Sequence, residues 1–322
     1  MAQDGNYIFT LAEGVTRRHV SYRNRYGVEL AADLYLPSGV SDAPGAPEQA
    51  GRGDMAAVLV GSPYGAVKEQ AAGVYANELA CRGYVALAFD PSYNGYSGGS
   101  PRHVASTDVL VEDFHAGLDY LGTRPFTDRE RLGVVGVCAS GVFVLTAAQV
   151  DPRIKALVNV SMIDISANYR PLYDDAAARR ALLTDLAEQR YLDFGSPSPA
   201  MAAMGSPMTL SDEDPMSEFG AFYWREVGHH HNSTTQFTAT SDLSFLNFPE
   251  LAHPEWIEVP VLTVVGEQAA TRPLSEGVHE RLTSSRGRKL LVAPGAGHVD
   301  LYHRTDLIPF DGIDTFLAEN LS

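Results

Sequence analysis

The stretch Leu132-Gly-Val-Val-Gly-Val-Cys-Ala-Ser-Gly141 constrains the fold more than any other part of the chain. The β-branched pair Val134 and Val135 suits a strand, and Val142 to Val150 is compatible with a helix. Between them, Gly136-Val-Cys-Ala-Ser140 follows the order small, any, nucleophile, any, small. A strand-to-helix turn tight enough to present a nucleophile strains its backbone, so the residues two before and two after must be small. Gly136 and Ser140 meet that demand, and Cys138 occupies the nucleophile position. An ordinary buried cysteine on a glycine-rich turn would give the same local pattern, so the surrounding chain has to decide. Ser140 is the rival nucleophile, but it falls late, already inside the helix.

The surroundings alternate strand and helix. His19 to Asn24 and Val28 to Leu36, joined through Arg25-Tyr-Gly27, read as an antiparallel hairpin. Pro37 to Asp54 reads as a solvated loop. Ala56 to Val60, Tyr84 to Phe89, Ile154 to Ser161, Pro260 to Gly266 and Lys289 to Val292 read as further strands. Helices are expected from about Lys68 to Arg82, Thr107 to Gly122, Leu274 to Leu282 and Leu301 to Leu321. Such alternation implies right-handed crossovers and an α/β fold, a mostly parallel sheet flanked by helices. The rhythm breaks over residues 163–256, which carry a helical pattern from Pro171 to Arg190 and loops rich in Met, Pro and Ser. A stretch of that length is too long for a loop. It is expected to be a helical cap inserted into a core formed by residues 1–162 and 257–322.

The formal charge of −16 argues against nucleic-acid or anionic-membrane surfaces, which need clustered Lys and Arg. No apolar run is long enough to span a bilayer, and Met1-Ala-Gln-Asp-Gly-Asn lacks the basic start and apolar run of a signal peptide. Two cysteines exclude a disulfide framework, which suits a cytoplasmic enzyme. Cys81, ending a helical pattern, is expected to be a small buried residue. His229-His-His231 has no matching ligand cluster and reads as a polar loop, so neither metal nor cofactor is implied.

In a sheet of this kind ligands bind at the carboxyl ends of the strands. That points to Ser62 to Gly65, Asp90, Cys138, Glu267 and His298. The chain has ten His, so a lone one means little. His298, however, lies directly past the final strand and downstream of the elbow, the place for a general base.

These residues carry a family resemblance. The order of elbow and late histidine resembles an α/β-hydrolase. Gly136-Val-Cys-Ala-Ser-Gly141, Ser62-Pro-Tyr-Gly-Ala-Val-Lys-Glu-Gln70 and Gly297-His-Val-Asp-Leu-Tyr302 resemble its dienelactone-hydrolase-like branch. Within that branch they are closest to uncharacterised bacterial hydrolases and fungal polyketide thiohydrolase and acyltransferase proteins. The resemblance implies a triad whose acid often follows a strand in the order Gly-x-x-Asp. Here that position is Ala269, so Glu267 is the choice, with Asp300 and Asp90 as rivals. It also implies an oxyanion hole from the N–H of Ala139 and, because Pro63 has none, that of Tyr64. Ser62 stands where dienelactone hydrolases proper carry a glutamate, which argues against that substrate.

The chemistry expected is acyl transfer. Cys138, as a thiolate favoured by the helix N-terminus and the histidine, attacks an ester or thioester, and His298 handles the proton. Met201, Met204, Met208, Phe219, Phe222, Tyr223 and Trp224 either line an apolar acyl pocket or pack the cap's own core. The expected partner is a small-molecule acyl substrate, and a homo-oligomer stays open. An acyltransferase or cyclase would use the same site, and a non-catalytic small-molecule binder would keep only the scaffold.

Overall fold

The unbroken apolar runs form the middle of an eight-stranded sheet in the computed structural model, which describes residues 6–40, 53–169, 174–203, 217–224, 227–247 and 251–322. Its strands are β1 (Thr16–Arg23), β2 (Glu29–Leu36), β3 (Met55–Gly61), β4 (Val85–Phe89), β5 (Thr127–Val137) and β6 (Ala156–Val160), then β9 (Val261–Gly266) and β10 (Lys289–Ala293). A separate ribbon pairs β7 (Met201–Ala203) with β8 (Gln236–Thr238). The main sheet runs β1-β2-β4-β3-β5-β6-β9-β10. Only β1–β2 and β2–β4 pair antiparallel. The hairpin forms where the sequence places it, turning at Gly27 with φ +79°.

Helices cover both faces of the parallel part, and β4, β6 and β9 are buried along their whole length. This is why they read as continuous apolar runs rather than alternating ones. The helices are α1 (Ala71–Cys81), α2 (Thr107–Gly122), α3 (Ala139–Ala148), α4 (Ala176–Phe194), α5 (Ser217–Trp224), α6 (Asp242–Asn247), α7 (Arg272–Arg281), α8 (Asp300–His303) and α9 (Phe310–Asn320). None of the described helices is long and apolar enough to cross a membrane.

Several boundaries differ from the sequence reading. α1 starts at Ala71, three residues later than expected, because the backbone N–H of Lys68 is held by the Asp90 carboxylate instead. The expected final helix is two, α8 and α9, because Pro309 cannot donate a helical hydrogen bond. Cys81 is exposed, not buried, since as the last residue of α1 it has left the face that packs on the sheet. Residues 41–52 of the expected loop and 171–173 of the expected helix lie outside the described residues.

The topology places the site. From β3 the chain moves one way to β4 and then returns to the other side for β5, so the direction of winding reverses between β3 and β5. A crevice opens at such a reversal, outside the carboxyl ends of the strands. Gly61 and Gly136 are direct register partners there. An added Cβ on Gly136 would overlap the backbone of Ser140, and one on Gly61 would overlap the Phe114 ring. The two glycines therefore let the first turn of α3 and the side of α2 settle against the sheet. Gly136→Ala should cost roughly 1–3 kcal/mol or more, because the clashing atoms are backbone and cannot rotate away. Urea unfolding of the variant checks this, and an unchanged midpoint would contradict it.

Candidate active site

Cys138 is the residue before α3, with φ +59° and ψ −125°. Its N–H donates to the Val160 carbonyl at 2.8 Å and its own carbonyl accepts from Gly141 at 2.9 Å, so both neighbouring elements hold the turn. The side chain is 5% exposed. Around its sulfur the backbone N–H groups of Ala139 and Tyr64 and the hydroxyl of Tyr302 all make hydrogen bonds. Burial nevertheless dominates and pushes the Cys138 thiol above its ordinary pKa, against the pull of those three hydrogen bonds. The resting group is a thiol. This corrects the expectation of a thiolate, because the helix N-terminus does not repay the loss of water.

Ser140, the rival nucleophile, is buried in the first turn of α3 and donates its hydroxyl to the Ser62 carbonyl at 2.5 Å. It thereby ties the elbow to the loop carrying Tyr64. That loop is packed from above by residues between β6 and β9: Phe237 stacks on the Tyr64 ring at 3.9 Å, and Phe245 meets it edge-on at 5.8 Å.

His298 is fully buried in the turn between β10 and α8. Its Nε2 pairs with the Tyr302 hydroxyl at 2.9 Å and its Nδ1 with the Thr271 hydroxyl at 2.5 Å. Burial lowers its pKa from 6.5 to about 3, so the ring is neutral at physiological pH. The Phe219 ring of α5 lies 4.8 Å from it. Cys138, Tyr302, His298 and Thr271 thus form one continuous hydrogen-bonded chain.

No expected carboxylate sits on that histidine, because both ring nitrogens are already taken. Glu267, chosen from the sequence, is exposed and accepts from the Gly295 N–H at 2.8 Å, where it braces the loop after β10. Asp300 accepts from the Gly297 N–H at 2.8 Å. Asp90 is buried elsewhere and accepts from the N–H groups of Lys68 and Tyr96, each at 2.8 Å. Where the expected acid would meet Nδ1 stands a hydroxyl, that of Thr271, the residue before α7.

Three residues at the site escaped the sequence reading. Tyr302 stands four residues after His298, but His298 lies in the turn before α8 and Tyr302 within it, so no helical periodicity links the two. Thr271 precedes a helix that was recognised. Glu218 of α5 had no local signal: its carboxylate accepts from the N–H groups of His298 and Val299, contacts across 80 residues of chain that only the fold brings together. Of the aromatics named from the sequence, Phe222 meets Tyr302 edge-on at 5.2 Å, and Tyr223 has its pKa raised chiefly by burial and further by the nearby Cys138. Met204 and Met208 lie outside the described residues. The ring of His230 stacks on that of His231 at 4.4 Å, in a turn where the His230 carbonyl accepts from Ser233.

The His298 shift sets a pH dependence whose sign is fixed. A group whose folded pKa is depressed binds more protons when unfolded, so its share of stability is full above 6.5 and is lost as pH falls toward 3. Urea unfolding of the wild type and His298→Gln should therefore show a gap that closes on acidification, by up to about 1.4 kcal/mol per pH unit. A gap independent of pH over that window would contradict the buried neutral ring.

Comparison with known proteins agrees with the architecture. Uncharacterized protein PA2218 of Pseudomonas aeruginosa is 39% identical over 100% of this chain and 85% of its own length. The crystal structure of that protein matches with a TM-score of 0.89, covering 99% of this chain and 98% of the other. Thiohydrolase aneE of Aspergillus aculeatus is 28% identical over 49% of this chain and 45% of its own. The α/β-hydrolase GrgF from Penicillium sp. sh18 shares the fold, with a TM-score of 0.75 at 19% identity over 95% and 99% of the two chains. A family model described as X-Pro dipeptidyl-peptidase (S15 family) matches residues 26–299. The chain belongs to that family and has the α/β-hydrolase fold.

Proposed function

We propose that this α/β-hydrolase-type enzyme transfers an acyl group from an ester or thioester by way of a covalent acyl-cysteine on Cys138. The observation that carries the reading is the convergence of two backbone N–H groups, those of Ala139 and Tyr64, on a strained cysteine that is hydrogen-bonded toward a histidine. When the sulfur moves onto a carbonyl carbon, those donors are left facing the oxygen that gains charge. His298 serves as the base and Thr271, not Glu267, holds its Nδ1. Hydrolase and acyltransferase relatives support the reaction class. The elbow cysteine and the motifs around Ser62 and His298 support placement beside the dienelactone-hydrolase-like branch, with Ser62 in place of that branch's glutamate.

The preferred substrate is a small molecule with a bulky apolar acyl group. Phe237 stacks on the ring of Tyr64, whose N–H bonds the sulfur, and Phe219 lies against His298. Each methylene of an acyl chain buried against such rings gains about 0.8 kcal/mol, close to fourfold in specificity. Transfer to an acceptor other than water, or cyclisation, is favoured by the burial of Cys138 and His298, which keeps bulk water from the acyl-enzyme.

Steady-state kinetics on p-nitrophenyl esters from acetyl to decanoyl tests both parts. kcat/KM should climb with chain length, and Cys138→Ala should abolish turnover without lowering the melting temperature. Thr271→Val should reduce kcat by roughly tenfold or more, while Glu267→Gln stays within about twofold. Full activity in Cys138→Ala would sink the nucleophile, and a large loss in Glu267→Gln would restore the carboxylate triad.

A further inference from the structure

We propose that Tyr302 is a catalytic residue, its hydroxyl carrying the proton between the Cys138 sulfur and His298 Nε2. The proposal rests on the reading of Cys138 as nucleophile and deepens it. In a direct cysteine–histidine pair the imidazole nitrogen bonds the sulfur itself. Here the partner of Nε2 is the Tyr302 hydroxyl at 2.9 Å, and the same hydroxyl bonds Cys138 Sγ. With Nδ1 bonded to Thr271, the Tyr302 hydroxyl is what links His298 to the sulfur among the described residues.

The hydroxyl is suited to the task. A phenol carries one donor hydrogen and accepts in addition, so it accepts from the thiol and donates to the imidazole at once. Its ring is fully buried and held edge-on by Phe222, and by His298 itself at 5.4 Å and 72°. It therefore reaches both partners without losing conformational freedom at the moment of reaction.

Burial lifts the Tyr302 and Cys138 pKa values and lowers that of His298, so all three groups rest neutral. A free thiolate or phenolate would be costly in this site, and the two proton transfers accompany attack. As the sulfur–carbon bond forms, the thiol proton passes to the Tyr302 oxygen while the Tyr302 proton passes to Nε2. The carbonyl π pair moves onto oxygen, facing the N–H groups of Ala139 and Tyr64. When the tetrahedral species collapses, the carbon–leaving-group bond breaks and the alkoxide or thiolate takes a proton back through Tyr302 from the imidazolium. In the second half-reaction an incoming water, alcohol or thiol attacks the acyl carbon and passes its proton through Tyr302 to Nε2. The carbon–sulfur bond then breaks, and the Cys138 sulfur takes that proton back through Tyr302, which restores the thiol and the neutral ring.

The test is the acylation burst of p-nitrophenol from p-nitrophenyl octanoate, followed by stopped flow in mixtures of H₂O and D₂O. Wild type should show a curved proton inventory, the mark of two protons in flight. Tyr302→Phe, which keeps the ring between Phe222 and His298, should acylate 10²- to 10³-fold more slowly, on the order of a lost proton-transfer group, with a linear inventory. Replacing Tyr302 by 3,5-difluorotyrosine keeps the fold and the hydroxyl while lowering the phenol pKa, and should shift the burst rate and its pH profile. An unchanged burst, inventory and pH profile in both variants, alongside an inert Cys138→Ala, would overturn the relay and leave the nucleophile standing. A wild-type burst that persists in Cys138→Ala, or no wild-type burst at all, would overturn both.

Discussion

Cys138 adopts a backbone with φ +59°, which a side-chain-bearing residue takes only where its neighbours leave no alternative. The cost of that turn is met by three neighbours at once. Gly136 gives up its Cβ so that the first turn of α3 can close on the strand, Val160 accepts the Cys138 N–H, and Ser140 ties the turn to the carbonyl of Ser62. The last of these couples the elbow to the loop that brings in the Tyr64 N–H. The N–H groups of Ala139 and Tyr64 are therefore held beside the sulfur by one set of contacts, and the order β4-β3-β5 is what sets the two loops side by side.

Burial is the second organising force, and it outweighs local charge. A helix N-terminus and two backbone donors would favour a thiolate at a wet site. Under α5 they fail to, and the same desolvation holds His298 and Tyr302 neutral. A carboxylate on His298 would have to be buried as well, at a cost of several kcal/mol unless paired. Thr271 supplies an oriented oxygen without that cost. Lys68 lies between Glu69 and Asp90, which are both pushed above the usual carboxylate range chiefly by burial, and Asp90 fastens the loops of Lys68 and Tyr96.

Much of this was legible before any coordinates. Apolar runs bounded by Gly and Pro mark buried parallel strands, and the small residues around Cys138 mark the elbow, because both patterns are consequences of local sterics. His298 follows from its place after the last strand. What sequence could not supply was the partner of each ring nitrogen. Glu267 was the nearest carboxylate along the chain, but the chain turns it outward toward Gly295, and Thr271 lies inward four residues later. Glu218 reaches His298 from a helix inserted far upstream, a contact with no periodicity to betray it. Cys81 shows the opposite failure: its residue type favours burial, yet its place at the end of α1 exposes it.

The account depends most on a covalent bond to one sulfur. Intact-protein mass spectrometry after brief mixing with an octanoyl thioester, followed by peptide mapping, observes that bond directly. The exposed Cys81 and the hydroxyls of Ser62 and Ser140 serve as internal controls. The account predicts one octanoyl adduct per chain, mapped to Cys138 and absent from Cys138→Ala. An adduct on Ser140, or turnover with no adduct on Cys138 at any mixing time, would contradict it.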